Sequence, residues 1–295
     1  MKLKYVYMIM LLVILMFTIG CSNKTAKCMI ENVAEIESDK YACSYEGVKH
    51  SFILDLPENI ENAPLILMLH GYGESGESFK SKSAFDKDAN ELGYVVAYVT
   101  GAPNPNDLTS ATGWNSGIGI SDNNDVEFLK NLSKYLCETY KLDTNRVFAV
   151  GFSNGAFMTH RLALEANDTF KAVVSVAGMM PESVWESKPE ALDISIFQIT
   201  GQKDDVIPKN SDGSAKYSKA PAIEDVIEYY ANANGLFLSD IQIVGKKSEL
   251  AKYKADGKTN QAWNLFIPDG RHSWPDEDIT GININRLILE FLSTQ

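Results

Sequence analysis

The 295-residue chain is short of positive charge, of histidine and of cysteine. Its 27 Lys and Arg face 39 Asp and Glu, a formal charge of −12 at a pI near 4.9. Without a basic excess nothing displaces the counterions of a phosphate backbone, which excludes nucleic acid as a partner. The same shortage excludes attraction to a membrane through a polybasic surface. After residue 20 no apolar run approaches the roughly 18 residues of a spanning helix. No CxxC pair and no Cys/His cluster suggests a metal. What is present is ordinary for a globular protein: 45% hydrophobic and 22% charged residues, which excludes disorder as the main state. Internal repeats and low-complexity linkers are missing from residue 46 onward.

The N-terminus has a different composition. Lys2 and Lys4 precede an apolar run over residues 5–20 that ends at Cys21. A basic start, a short apolar stretch and a small residue before the cut predict a signal peptide over residues 1–20. Phe17-Thr18-Ile19-Gly20 before Cys21 resembles the lipobox of bacterial lipoproteins, with Thr18 where leucine is usual. That resemblance implies a lipid on Cys21 and a protein anchored outside the cell, with free secretion as the alternative. Residues 21–45 then read as a tether and N-terminal segment, and residues 46–295 as the domain. Cys28 and Cys43 are close enough in sequence for a disulfide loop in an oxidising exterior, and their pairing stays open. Cys137 sits in a helical pattern as an apolar filler.

From residue 46 the pattern alternates between strands and helices. Residues 65–70 are a continuous apolar run, as in a strand covered on both faces. Strands are also expected at 51–56, 94–100, 146–150, 172–176, 195–200 and 263–267. Helical spacing appears at 122–140, 156–166, 223–234 and 283–292. This order predicts an α/β fold with a mostly parallel central sheet and helices on both faces. Chemistry in such sheets gathers at the carboxyl ends of the strands.

Gly151-Phe152-Ser153-Asn154-Gly155 fits G-x-S-x-G between a strand and a helix, the setting of a nucleophile elbow. Ser153 is the candidate nucleophile, and it needs a base. His50 and His70 precede it, whereas the order on such a fold is serine, acid, histidine. His160 lies seven residues on along the same helix, about 10 Å of rise away. His272 remains, in a Gly- and Pro-punctuated loop after a strand. The acid lies between them, and spacing leaves Asp204 and Asp205 both open. Two backbone N–H groups are expected to hold the oxyanion, those of Tyr72 and Asn154. His70 reads as a structural support of the Tyr72 loop.

Six motifs occur in order: His70-Gly71-Tyr72-Gly73-Glu74-Ser75, Gly113-Trp114-Asn115, Asn124-Asp125-Val126-Glu127-Phe128-Leu129, the stretch from Arg146 through Gly151-Phe152-Ser153-Asn154-Gly155, Thr200-Gly201-Gln202-Lys203-Asp204-Asp205-Val206-Ile207-Pro208, and Arg271-His272-Ser273-Trp274-Pro275. Together they resemble the polyhydroxybutyrate depolymerase and feruloyl esterase family of α/β-hydrolases, which overlaps the first carbohydrate esterase family. The resemblance spans nearly all of the chain after Lys49. Its H-G-T-x-D-x-x-V-P pattern places the acid at Asp204, although Thr200 and Gln202 replace its first histidine and its threonine. It implies a serine ester hydrolase without a cofactor. The expected substrates are feruloyl or acetyl esters on plant cell-wall polysaccharide such as xylan, with hydroxyalkanoate polyester as the alternative. A binding lipoprotein that has lost catalysis is the remote one. Trp114 and Trp274 are candidate walls of the substrate pocket.

Overall fold

The computed structural model describes residues 29–105, 107–207 and 220–295. The signal peptide, Cys21, the tether and Cys28 lie outside the described residues, and with them the Cys28–Cys43 pairing. Eleven strands form one sheet: β1 (Glu31–Glu37), β2 (Lys40–Tyr45), β3 (Val48–Asp55), β4 (Leu65–Leu69), β5 (Val95–Thr100), β6 (Val147–Phe152), β7 (Ala172–Val176), β8 (Ser195–Gly201), β9 (Phe237–Val244), β10 (Ser248–Lys254) and β11 (Ala262–Ile267). Their order across the sheet is β1-β2-β3-β5-β4-β6-β7-β8-β11-β10-β9. From β5 to β11 every neighbouring pair is parallel, while the pairs outside this centre are antiparallel.

The continuous apolar runs follow from that centre having two covered faces. Side chains alternate along a strand, so Leu65, Leu67 and Leu69 of β4 enter one core while Ile66 and Met68 enter the other. The first core is closed by α3 (Asp125–Tyr140), α4 (Asn154–Glu165) and α6 (Ile223–Asn234). The second is closed by α1 (Gly76–Ser83), α2 (Phe85–Glu91) and α8 (Ile284–Ser293). Two short helices, α5 (Glu182–Glu186) and α7 (Glu277–Thr280), complete the described set. The apolar spacing of α3 places Val126, Leu129, Leu132 and Leu136 against the sheet, each stabilising by about 1.5–3 kcal/mol when fully buried. Cys137 joins that buried face, and burial pushes its thiol up to about 11.

The domain boundary expected at residue 46 needs correction. Residues 31–37 and 40–45 are strands of the main sheet: β2 pairs with β3 along six residues, and Cys43 and Tyr45 are buried in the first core. The acidic, exposed character of Glu31, Glu35 and Glu37 hid β1, because an edge strand has little apolar demand. The β9–β10 hairpin also escaped prediction. Its apolar residues Phe237, Leu238, Ile241 and Ile243 are exposed at the opposite edge, so no burial pattern marks it.

Candidate active site

Three strand ends deliver the side chains. β6 runs into Ser153, whose φ of 51° and ψ of −117° lie in a region L-residues rarely adopt. The glycines around it are required by contact. A Cβ on Gly155 would run into the Leu69 carbonyl, and one on Gly151 into the Gly155 carbonyl. The turn therefore packs directly on the end of β4 and lifts the Ser153 hydroxyl above the sheet. The Ser153 amide donates to the Val176 carbonyl at 3.0 Å, which ties the turn to β7.

The loop after β11 brings His272 to this hydroxyl. Ser153 Oγ donates to His272 Nε2 at 2.9 Å, and His272 Nδ1 donates to Asp204 Oδ2 at 2.9 Å. The other carboxylate oxygen of Asp204 accepts from the amides of Val206 (2.9 Å) and Ile207 (2.8 Å). The Asp204 side chain is 1% exposed and the His272 side chain 17%. Asp205, beside it, is exposed, so burial separates two carboxylates that spacing left open. The acid and histidine loops are laced together: the amides of Gln202 and Lys203 donate to Ile267 and Gly270 at 2.9 and 2.8 Å. The Phe152 ring lies 5.2 Å from the imidazole of His272 and supports its flank.

Opposite stands the loop after β4. The His70 Nδ1–H donates to the Gly71 carbonyl at 2.7 Å, and its Nε2 accepts from the Gly101 amide at 3.0 Å. The ring is fully buried and held neutral, with burial pushing it down to about 4. This loop carries the Tyr72 amide. Among the described residues no group accepts from the amide of Tyr72 or of Asn154, and both residues line the cavity that contains Ser153. The Asn154 side chain is turned the other way: its Oδ1 accepts from the Trp114 amide (2.7 Å) and its Nδ2 donates to Ser116 Oγ (2.8 Å).

The cavity has a volume of about 540 Å³, within the roughly 300–1,000 Å³ of small-molecule sites. Its apolar side includes Ile118, Ile120, Phe157 and Ile207, and its polar side Tyr72, Glu74, Lys82 and Asn104. Trp114 and Trp274 do not line it, which corrects the expectation for both. Trp114 is fully buried, its Nε1–H donating to the His70 carbonyl at 2.9 Å. Trp274 is 8% exposed, donates to Asn285 Oδ1 at 3.1 Å and packs edge-on against Phe79. A buried indole N–H needs an acceptor: Trp114 finds it in the His70 carbonyl at the end of β4, and Trp274 in Asn285 on α8. Of the residues that do line the cavity, Phe157 was legible, since it stands one helical turn beyond Ser153. Lys82 and the Ile118–Ile120 loop carried no such signal.

A strained serine at a strand-to-helix turn, backed by histidine and aspartate from later strand ends of a parallel-centred sheet, defines an α/β-hydrolase. Residues 56–226, more than half of the chain, match the family model described as Phospholipase/Carboxylesterase, and the chain belongs to that family. It is 33% identical over 243 residues to "Putative esterase NocK" of Nocardia uniformis subsp. tsuyamanensis, covering 73% of this chain and 66% of that protein. Similarity to feruloyl esterase B of Piromyces equi is 28% over 151 residues, covering 50% of this chain and 27% of the relative. For the bifunctional acetylxylan esterase/xylanase XynS20E of Neocallimastix patriciarum it is 27% over 163 residues, covering 55% and 22%. This chain therefore corresponds to only part of those relatives' lengths. Among solved structures, an acetyl xylan esterase from Aspergillus awamori shares the fold at a TM-score of 0.60 and 14% identity, over 83% of this chain and 94% of that one.

Proposed function

We propose that the protein is a serine carboxylesterase that removes feruloyl or acetyl groups from plant cell-wall polysaccharide such as xylan. Ser153 is its nucleophile, His272 its base and Asp204 its acid. The observation that carries this reading is the continuous hydrogen-bonded chain from Ser153 Oγ through His272 to Asp204, ending on a carboxylate fixed by two amides. The names of the relatives support the substrate class.

In the first half-reaction Ser153 Oγ attacks the ester carbonyl while His272 Nε2 takes its proton. Asp204 holds the Nδ1–H tautomer and stabilises the imidazolium that forms. The carbonyl oxygen, now negative, accepts from the Tyr72 and Asn154 amides. His272 then returns the proton to the departing sugar oxygen, and the acyl group stays on Ser153. Water attacks the acyl carbonyl as His272 takes its proton, and His272 returns that proton to Ser153 Oγ as the C–O bond to serine breaks and the acid leaves. An apolar side in the cavity suits the acyl group, and a polar side suits a hydroxylated alcohol. The signal-peptide and lipobox resemblance of residues 1–21 supports an enzyme exported outside the cell and held there by lipid on Cys21, with free secretion as the alternative.

Three measurements test this. A fluorophosphonate probe labels the wild-type protein and leaves Ser153→Ala unlabelled; an unlabelled wild type overturns the nucleophile. Methyl ferulate, acetylated xylan and polyhydroxybutyrate assayed side by side rank the substrates, and preference for the polyester overturns the polysaccharide assignment. Release of Cys21→Ala into the medium, with the parent retained in the membrane fraction, tests the anchor.

A further inference from the structure

The loop that presents the Tyr72 amide is clamped by side chains at both peptides that flank Gly71. The Gly71 carbonyl accepts from His70 Nδ1, and the Gly71 amide donates to a carboxylate oxygen of Glu74 at 3.1 Å. Glu74 is itself held: its amide returns to the Gly71 carbonyl at 3.2 Å, and Thr112 Oγ1 donates to its carbonyl. Glu74 therefore holds Gly71 from both sides, its carboxylate on the Gly71 amide and its own amide on the carbonyl of the Gly71–Tyr72 peptide.

This arrangement carries an electrostatic liability. A Cβ built on Gly71 would lie 3.3 Å from the Glu74 carboxylate and 3.3 Å from Ser153 Cβ, so the carboxylate and the serine are no further apart than those two distances together. A bare negative charge so near the serine opposes a second negative charge forming on the ester oxygen. The structure supplies a counter-charge. Lys82, from the last turn of α1, reaches back to pair with Glu74, and its ammonium rests 4.6 Å from the centre of the Phe152 ring. Both residues line the cavity, and their side chains are only 22% and 36% exposed, so solvent screens them incompletely.

We propose that Glu74 and Lys82 act as a positioning pair for the oxyanion site: the Glu74 carboxylate fixes Gly71, the residue that leads into the Tyr72 amide, and Lys82 cancels the charge that this fixing brings beside the serine. The inference rests on the serine-esterase reading. It requires a pattern of kinetics that a plain structural ion pair does not produce. Lys82→Met leaves the carboxylate uncompensated, and kcat for p-nitrophenyl acetate falls about tenfold with KM within about twofold. Glu74→Gln keeps an oxygen for the Gly71 amide and removes the charge. The double variant Glu74→Gln with Lys82→Met therefore recovers most of the lost kcat, although it lacks the ion pair altogether. Glu74→Ala with Lys82→Met, which has no acceptor for the amide, does not recover. Active-site titration with a fluorophosphonate corrects each variant for folded protein. Unchanged kcat in Lys82→Met, or a Gln-bearing double variant no faster than Lys82→Met alone, overturns the proposal while leaving a labelled, active wild type as a serine esterase. A wild type that neither labels nor turns over removes both readings.

Discussion

His70 and His272 flank the same serine and are built for opposite purposes. His70 gives both ring nitrogens to backbone, has no exposed surface, and is pushed down to about 4 by burial. His272 gives both nitrogens to side chains and keeps its side chain 17% exposed. The buried ring is a strut, since protonating Nε2 would cost the Gly101 amide its acceptor. In the proposed esterase mechanism the rim ring takes the serine proton, with the Asp204 carboxylate on its far side to stabilise the charge. A histidine beside a nucleophile is therefore judged by its partners, not its proximity.

The comparison breaks most sharply on removal of each ring. Ser153→Ala and His272→Ala should each lower kcat/KM for p-nitrophenyl acetate by about 10³-fold or more, with melting curves close to the parent. Asp204→Asn should cost about as much, by favouring the wrong tautomer, whereas Asp205→Asn should leave turnover unaltered. His70→Ala should instead cost about 2–4 kcal/mol of stability in urea unfolding, because a buried amide and a buried carbonyl lose their partner. A His70→Ala protein as stable as the parent would collapse the distinction.

Acid titration sharpens it. His50, His70 and His160 are all pushed from 6.5 down to about 4 by burial. A base whose folded pKa lies below its unfolded one contributes stability that is intact above pH 6.5 and lost as pH falls towards 4. Urea midpoints should therefore drop across that window. Asp125 works against them. Burial raises its carboxyl from 3.8 to about 6, and among the described residues one of its oxygens has no partner. Its contribution is full below 3.8 and lost as pH rises through 6. Asp125→Asn keeps an acceptor for the Asn115 amide, which Asp125 Oδ2 now binds at 2.6 Å. The variant should gain about 1–3 kcal/mol at pH 7, with a steeper loss in acid. A flat difference between variant and parent from pH 7 to 4 would place the cause elsewhere. The smallest effect expected is that of Trp274→Phe. It removes the hydrogen bond to Asn285 and part of the ring packed on Phe79, about 1–2 kcal/mol together, and should leave KM unchanged because the ring lies outside the cavity.

The parallel centre of the sheet was legible because strands buried on two faces leave unbroken apolar runs, as at 65–69 and 195–200. The edges were not. β1 is acidic and β9 carries its apolar residues outward, so neither shows the alternation that burial imposes. Ser153 and His272 could be picked out by motif and elimination, since chain order and helical rise discriminate among four histidines. The choice between Asp204 and Asp205 needed a family pattern, and apart from Phe157 the cavity walls were illegible. The Ile118–Ile120 loop and Ile207 come from separate segments whose meeting with Ser153 no local spacing records.

The order of residues by itself determined the repeating strand and helix units, the glycine-flanked turn at Ser153 and the one histidine free to reach it. These depend on backbone sterics and on periods of two and 3.6, which act over a few neighbours. Only the folded molecule decided which carboxylate faces the imidazole, that the two tryptophans are buried away from the cavity, and that Lys82 comes to lie against Glu74. Those outcomes are set by which surfaces are left to exclude water once the sheet has closed, a competition among residues far apart along the chain.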